Sequence, residues 1–253
     1  MSITNKTKLT IPKHWTNVQI FDKNSHVLAK GISIETGKIQ YIYNPEFTDK
    51  QNRAKFDRMI LFSKKIDSLH NAIKNIKQDI NSQNFIISLI IRIIYKTFMR
   101  IGNEQYDTYG ITTLEKRHIF FKDDKIIFDF VGKKNVHHII ELKDPFIYKY
   151  LYKIVSIKKP NDRIFDPVTS EDVNQFIKKY MGQQFSSKDF RTYASNRLFI
   201  EMLRQCDHKN LDTDIRKAIT FVANELGHTK NTSKKSYIMN SLIDLYKKDP
   251  YNF

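Results

Sequence analysis

The sequence is almost without cysteine, and it lacks a long apolar run. Cys206 is the only cysteine among 253 residues, which excludes an intramolecular disulfide and a cysteine-based zinc site. We therefore expect a reducing, intracellular setting. The most apolar stretch, residues 85–95, is interrupted by Arg92 and is far shorter than the ~20 apolar residues that a membrane span needs. Residues 1–10 are polar and carry no apolar signal-peptide core, so we expect no membrane partner.

Clustered acidic residues are missing too, and so are internal repeats and low-complexity linkers. A grouped set of Asp and Glu residues is what usually holds catalytic Mg²⁺, and none is visible in the chain. The eight histidines are scattered. His137 and His138 are adjacent in a predicted strand, so their side chains point to opposite faces and cannot share a metal. We therefore expect no metal and no cofactor.

Positive charge is what the sequence has in excess. It contains 43 Lys and Arg against 27 Asp and Glu, a formal charge of +16, and its pI is about 9.6. This balance favours a polyanionic partner such as nucleic acid. A surface of solvated lysines without function explains the same excess, so charge alone does not establish DNA binding. With 40% hydrophobic residues, the chain can bury a core and form one or two domains.

The order of sequence patterns predicts an α+β fold in two domains. Short alternating runs over residues 18–43 predict a small antiparallel β-domain. Residues 49–80 have a helical composition, and the predicted apolar face of that helix consists of Met59, Phe62, Ile66, Leu69 and Ile73. We place the β-rich N-terminal domain at residues 1–73 and a mainly helical domain at residues 74–253.

The second domain is predicted to contain a three-stranded meander among helices. A helix over residues 85–99 precedes strands at 118–121, 126–131 and 136–142. Further helices are predicted over residues 146–155 and from residues 169, 186, 212 and 232–233 onward.

Local signals mark several of these helix ends. Thr169 with Asp172, and Ser186 with Asp189, form capping-box pairs, and Gly227 suits the left-handed position after a helix. Arg191 lies off the apolar stripe of its helix. The last helix is predicted to bury Ile238, Leu242 and Leu245.

Five residues stand out once these elements are placed: Arg100, Lys133, Arg191, His228 and Tyr237. Each has an ordinary reading when taken alone. Arg100 suits a helix C-terminus, where a cation is favoured, and Lys133 suits a hairpin turn that protects a sheet edge. Arg191 could pair with a nearby aspartate on a solvated face. His228 could be a satisfied core histidine, and Tyr237 could simply pack at a helix start.

The segments around these residues make a more specific reading possible. They occur in one order along nearly the whole chain, at residues 11–18, 40–43, 100–106, 109–114, 118, 130–133, 188–192 and 227–237. In that order they resemble the type IB DNA topoisomerases, especially the compact poxvirus-like and bacterial members. Tyr237 follows His228 by nine residues, as the family pattern expects.

The resemblance implies both an activity and a role for each of the five residues. Tyr237 attaches to the DNA 3′-phosphate at a single-strand cut, which is later resealed, so that supercoils are relaxed without ATP or metal. Arg100, Arg191 and His228 stabilise the negatively charged phosphate oxygens. Lys133 resembles the lysine that protonates the departing 5′-oxygen. The resemblance also implies the helical catalytic fold with a β-meander that this family shares with tyrosine recombinases.

The expected partner is double-stranded DNA, clamped by a monomer that uses no nucleotide cofactor. Affinity should fall steeply with salt, because most contacts are to phosphates. For Tyr41 and Tyr43, ordinary sheet packing on one strand face is an equal alternative. The predicted DNA-binding residues are Tyr41, Tyr43, Arg53, Lys55, Tyr106, Lys134, Lys188 and Asn196.

Two other functions compete with this reading. Tyrosine recombinases use the same chemistry, but they usually carry histidine three residues before the second arginine, where this chain has Lys188. Lys188 is also a second possible proton donor. A non-catalytic basic DNA-binding protein would explain the charge but not the ordered motifs. The expected location is the virion or viral replication site for a viral protein, and otherwise the cytoplasm or nucleoid.

Overall fold

The computed structural model describes residues 9–103 and 108–253. The chain divides into two compact units, Met1–Arg58 and Met59–Phe253. The division falls inside one continuous helix, α1 (Pro45–Lys74), whereas the sequence predicted a boundary after residue 73. The difference has a simple cause: the buried positions of α1 begin at Met59, so the later half of the helix belongs to the core of the second unit.

The N-terminal unit contains a three-stranded antiparallel sheet. Its strands are β1 (Trp15–Ile20), β2 (Val27–Ser33) and β3 (Ile39–Tyr43), in the order β1-β2-β3. The indole of Trp15 packs directly on Gly31, where a Cβ atom would lie 2.6 Å from Trp15 Cε3. Its Nε1 donates to Gln40 Oε1 at 3.2 Å. The predicted β-domain is confirmed.

The C-terminal unit combines a second antiparallel sheet with helices. The sheet has the order β4 (Ile119–Lys122), β5 (Lys125–Gly132) and β6 (Val136–Leu142). The helices that follow α1 are α2 (Gln83–Thr97), α3 (Pro145–Ser156), α4 (Ser170–Met181), α5 (Ser187–Leu203), α6 (Leu211–Leu226), α7 (Lys230–Ser236) and α8 (Asn240–Lys248). The predicted α+β class and the three-stranded meander are confirmed.

Apolar packing in this unit follows the predicted helix faces. All five positions predicted for the apolar face of α1 are buried, and the Phe62 ring meets Phe185 and Phe190 edge-on. Helix α2 is buried along most of its length, which accounts for the most apolar stretch of the sequence. Among the described residues, no helix is both long and apolar enough to cross a membrane.

The predicted helix caps are also present. Thr169 N donates to Asp172 Oδ2 at 2.8 Å, and Ser186 N donates to Asp189 Oδ2 at 2.8 Å. Gly227 ends α6 in the left-handed conformation, with φ 60° and ψ 48°. These signals depend only on neighbouring residues, which is why the sequence alone reveals them.

The single last helix predicted from the sequence is wrong. Helix α7 starts earlier, at Lys230, with Thr229 accepting from Thr232 N at 3.1 Å. It ends at Ser236, and α8 begins only at Asn240. The buried face also differs from the predicted one, since Leu245 is 55% exposed whereas Tyr246 is fully buried.

Candidate active site

Arg100 stands three residues after the end of α2 and is held by its main chain. Its carbonyl oxygen accepts from Ile111 N at 2.9 Å, and the carbonyl of Ile101 accepts from Thr112 N at 2.8 Å. These bonds fix the segment against the loop that precedes β4. The Arg100 side chain is half-buried and lines a cleft of about 230 Å³.

Arg191 lies in α5 and is only 6% exposed, although the sequence placed it off the apolar stripe. Its guanidinium donates to two main-chain carbonyls, that of Phe98 through Nη1 and that of Leu226 through Nη2, the latter at 2.5 Å. Phe98 and Leu226 stand at the C-terminal ends of α2 and α6, where carbonyl groups lack helical partners and the dipole is negative. These helix ends accommodate the buried cation.

The conformation of Phe98 makes one of these bonds possible. Its backbone is left-handed, with φ 55° and ψ 22°, a conformation that costs free energy for a residue other than glycine. Its amide donates to Ile94 O at 2.8 Å, closing α2, while its carbonyl accepts from Arg191. The strained turn therefore directs an acceptor at the guanidinium.

Burial, and then the charge of Arg100, lower the pKa of Arg191 to about 10. The nearby Tyr237 side chain opposes this shift. Arg191 therefore stays positively charged at neutral pH beside a second cation and a phenol. Its Nε is buried and has no hydrogen-bond partner within the described part of the chain.

His228 follows the glycine that ends α6 and is bonded through both ring nitrogens. Its Nε2 lies 2.8 Å from Arg191 Nη2, and because a guanidinium can only donate, Nε2 is the acceptor. The ring proton is then on Nδ1, which lies 3.4 Å from Ser233 Oγ. Burial, followed by the charges of Arg191 and Arg100, lowers the pKa of His228 to about 3. The ring is therefore neutral at physiological pH.

Tyr237 occupies the break between α7 and α8. Its ring centroid lies 4.2 Å from that of His228. The amide of Asn196 fixes the main chain from the tyrosine to Met239: Nδ2 donates to Tyr237 O at 2.9 Å, and Oδ1 accepts from Met239 N at 2.9 Å. Asn196 was predicted as a DNA contact, but it is 5% exposed, and these bonds engage both of its amide groups.

Lys133 is exposed on the short turn that joins β5 to β6. It lines the same cleft as Arg100, Arg191 and Gly227. Arg191 is hydrogen-bonded to His228, and the His228 ring packs against that of Tyr237. Arg100 lies close enough to Arg191 to lower its pKa, so four of the predicted residues lie together. The fifth, Lys133, lies on the wall of the adjoining cleft.

The remaining predictions for this unit concern three residues. Lys188 is exposed in the first turn of α5. Tyr106 and the side chain of Lys134 lie outside the described residues.

No group of three or more His, Cys, Asp or Glu side chains that could hold a metal occurs in the described ranges. Sequence reasoning missed Ser233, a fully buried hydroxyl beside His228, because its lysine neighbours suggest a solvated helix.

The candidate DNA contacts of the N-terminal unit lie on its surface. Tyr41 and Tyr43 are 46% and 54% exposed, with ring centroids 6.0 Å apart on one face of β3. The two rings share one strand face, as ordinary sheet packing would require, and both are accessible, as a DNA contact would require. Arg53 is exposed on α1. Lys55 is half-buried, and its Nζ donates to Asn52 Oδ1 at 3.1 Å.

Comparison with known families decides between the possible functions. Residues 44–249 match the family described as the catalytic core of eukaryotic DNA topoisomerase I, which is most of the chain. The chain belongs to the type IB DNA topoisomerases. The topoisomerase is 31% identical to DNA topoisomerase 1B of Acanthamoeba polyphaga mimivirus, across 97% of this chain and 80% of the relative.

Other relatives extend the same pattern. The topoisomerase is 27% identical to DNA topoisomerase 1B of Vaccinia virus (strain Copenhagen), across 94% of this chain and 79% of that protein. A solved structure of XerH site-specific recombinase bound to difH substrate is more distant, at 17% identity and a TM-score of 0.46, covering 74% of this chain and 52% of that one. The predicted assignment to small viral-like type IB enzymes is confirmed.

Proposed function

We propose that the topoisomerase relaxes supercoils by reversible attack of Tyr237 on a DNA backbone phosphate. The phenol oxygen forms a bond to phosphorus, and the bond from phosphorus to the 5′-oxygen breaks. The products are a 3′-phosphotyrosyl link and a free 5′-hydroxyl, and the reverse step reseals the strand after it has rotated. The observation that carries this proposal is the packing of the Tyr237 ring against His228, whose Nε2 accepts from Arg191 at 2.8 Å.

The positive charge around Tyr237 provides the electrostatic stabilisation that this reaction requires. A phenol is a weak nucleophile at neutral pH, and nearby cations stabilise the negative charge that its oxygen carries as it attacks. As attack proceeds, charge builds on the non-bridging phosphate oxygens, where Arg100 and Arg191 can stabilise it through charge-assisted hydrogen bonds. Such fixed donors are most effective when they need no rearrangement, and the two carbonyl partners of Arg191 hold it in place.

His228 is proposed to contribute as a neutral ring. Its Nε2 and the Arg191 guanidinium are bonded to each other at 2.8 Å. A phosphate oxygen entering at this point competes for the Arg191 donor and leaves the imidazole free to place a proton on Nε2. Both groups then donate to the same oxygens. Removing one such donor typically costs about 10²–10³-fold in rate.

Lys133 is proposed as the general acid. The departing 5′-oxygen is a basic alkoxide and leaves readily only if it receives a proton as the bond breaks. Lys133 is carried on a short exposed turn at the cleft that Arg100 and Arg191 line. Lys188, in the first turn of the helix that carries Arg191, remains the second possible donor.

Duplex DNA is the substrate, and we propose that one chain acts alone, without ATP or another nucleotide. Bond energy is conserved in the phosphotyrosyl link, so resealing needs no external energy source. Surface cations in both units contact phosphates, which gives an affinity that depends steeply on salt. Because the two similar topoisomerases come from viruses, we also propose that this protein is viral and acts in the virion or at the viral replication site.

The direct test is relaxation of a supercoiled plasmid in EDTA without ATP. Tyr237→Phe should abolish relaxation, because it removes the attacking oxygen and retains the ring. Tyr251→Phe, at a highly exposed tyrosine, serves as the matched control and should relax at the wild-type rate. Unchanged relaxation by Tyr237→Phe would remove the tyrosine from its proposed role.

The polarity of the covalent link gives a second readout. With a duplex labelled at the 5′ end of the cleaved strand, the label should become bound to protein, because that fragment carries the 3′-phosphate. A label at the 3′ end of the same strand should be released in the free fragment. The opposite result would place the enzyme in another mechanistic class.

A further inference from the structure

His138 is a half-buried histidine beside the active site with no role in the mechanism above. It lies on β6, directly opposite Phe130 on β5, and the two rings stack with centroids 5.3 Å apart and an interplanar angle of 26°. Its side chain lines the same cleft as Arg100, Lys133 and Arg191. The cross-strand stack fixes the plane and the direction of the imidazole.

The imidazole is held between two glycines. A Cβ atom on Gly132 would lie 2.9 Å from His138 Cδ2, and a Cβ atom on Gly227 would lie 2.6 Å from His138 Cε1. Both distances are too short for a real carbon contact, so the ring touches the main chain at both positions. Gly132 immediately precedes Lys133, and Gly227 immediately precedes His228.

The electrostatic surroundings agree with this placement. Burial, and then the charges of Arg100, Arg191 and His137, lower the pKa of His138. The ring therefore stays neutral at physiological pH and adds no third positive charge next to the two arginines. It can thus fill the space between the two turns without repelling either arginine.

We propose that His138 is a positioning residue whose ring sets the spacing between the turn that carries Lys133 and the turn that carries His228. This inference rests on the proposed roles of those two residues. A general acid must come within about 3.2 Å of the atom that it protonates, and a displacement of about 1 Å can cost on the order of a hundredfold in rate. Lys133 is exposed on a short turn, so a neighbouring group must hold that turn in place, and the His138 imidazole does so.

The first test separates cleavage from binding and folding. Single-turnover cleavage of a duplex by His138→Ala should be about 10- to 100-fold slower than by the wild type. Binding of the same duplex, measured in the Tyr237→Phe background, should be unchanged. His138→Gln, with a planar amide of similar reach, should recover much of the rate. If both variants cleave at the wild-type rate, or if they lose rate only in proportion to the folded fraction measured by circular dichroism, the proposal is overturned.

A change of side-chain size at Gly132 tests directly whether the His138 ring sets the spacing between the two turns. Gly132 has φ −99°, which any residue can adopt, so only the contact with His138 opposes a methyl group there. Gly132→Ala should therefore slow cleavage in the wild type. In the His138→Ala background, the same methyl should cause no further loss, because the ring is gone. Losses that simply multiply would show that Gly132 and His138 act independently and would contradict the inference.

A substrate with sulfur in place of the bridging 5′-oxygen tests the part of the inference that concerns Lys133. A thiolate leaves without a proton, so this substrate should restore cleavage by Lys133→Ala. If Lys133→Ala cleaves this substrate no faster than the ordinary one, the general-acid role is removed from the proposed function. If Lys133→Ala responds, the sulfur-to-oxygen rate ratio should also rise above the wild-type ratio in His138→Ala. A wild-type ratio in His138→Ala would overturn the positioning role while leaving the function of Lys133 intact.

Discussion

The two units of the chain present their candidate functional side chains in opposite ways. In the C-terminal unit, Arg191 and Asn196 are almost fully buried and bonded to main-chain groups from distant segments. In the N-terminal unit, Tyr41 and Tyr43 stand on the surface of a small sheet. Chemistry on a phosphorus atom requires fixed geometry, whereas attraction to a phosphate backbone requires only accessible charge and surface. Changes in the first set should therefore affect rate, and changes in the second should affect affinity.

The largest effect is expected for Arg191→Lys. A lysine keeps the charge, but it cannot reproduce a planar fork that reaches two carbonyls and a phosphate. Single-turnover cleavage should fall by about 10²–10³-fold. Arg197→Lys on the same helix is the matched control, since that arginine pairs with Glu201 at 3.2 Å. Equal losses in the two variants would mean that the buried site has no special requirement for its arginine.

Asn196→Ala should give the next largest loss, on the order of tenfold to a hundredfold in cleavage rate. The alanine removes both bonds that hold the main chain around Tyr237, while the phenol itself is retained. Asn196→Asp keeps only the acceptor for Met239 N and should fall between alanine and wild type. If Asn196→Ala instead weakened duplex binding at an unchanged cleavage rate, the residue would be a DNA contact.

A smaller effect is expected for Arg53→Gln in the N-terminal unit. The loss of one phosphate contact should lower the slope of log affinity against log salt by about 0.9. The cleavage rate at saturating enzyme should stay the same. Lys209→Gln, at an exposed lysine outside the predicted set, is the comparison variant. A slope that does not change in Arg53→Gln would remove that side chain from the DNA interface.

The last expected effect concerns stability at acidic pH. Burial and the neighbouring arginines lower the pKa of His228 to about 3, whereas an unfolded histidine has a pKa of about 6.5. Between these two pH values His228 is protonated in the unfolded chain but not in the folded chain. The contribution of His228 to the free energy of unfolding is therefore highest above about pH 6.5 and declines as the pH falls. The melting temperature should drop less between about pH 7 and about pH 4.5 in His228→Asn than in the wild type. Parallel declines would contradict a neutral, half-buried His228 ring.

Much of the fold follows from local patterns in the sequence. The apolar face of α1, the two capping boxes and the glycine after α6 were all predictable, because each depends on residues within a few positions of one another. The break after Ser236 was not predictable. It depends on Asn196, 41 residues before Tyr237 in the chain, and no local signal marks that bond.

The sequence by itself determined the family of this protein, its sheet elements and its helices before the last two, and the five residue types in their order along the chain. Only the tertiary structure decided that Arg191 is buried and that carbonyl groups at the ends of two helices stabilise its positive charge. It also decided that His138 lies between two glycines. The physical reason is distance along the chain: Arg191 meets Phe98 and Leu226 across 93 and 35 residues. Contacts of that kind exist only after the helices have packed.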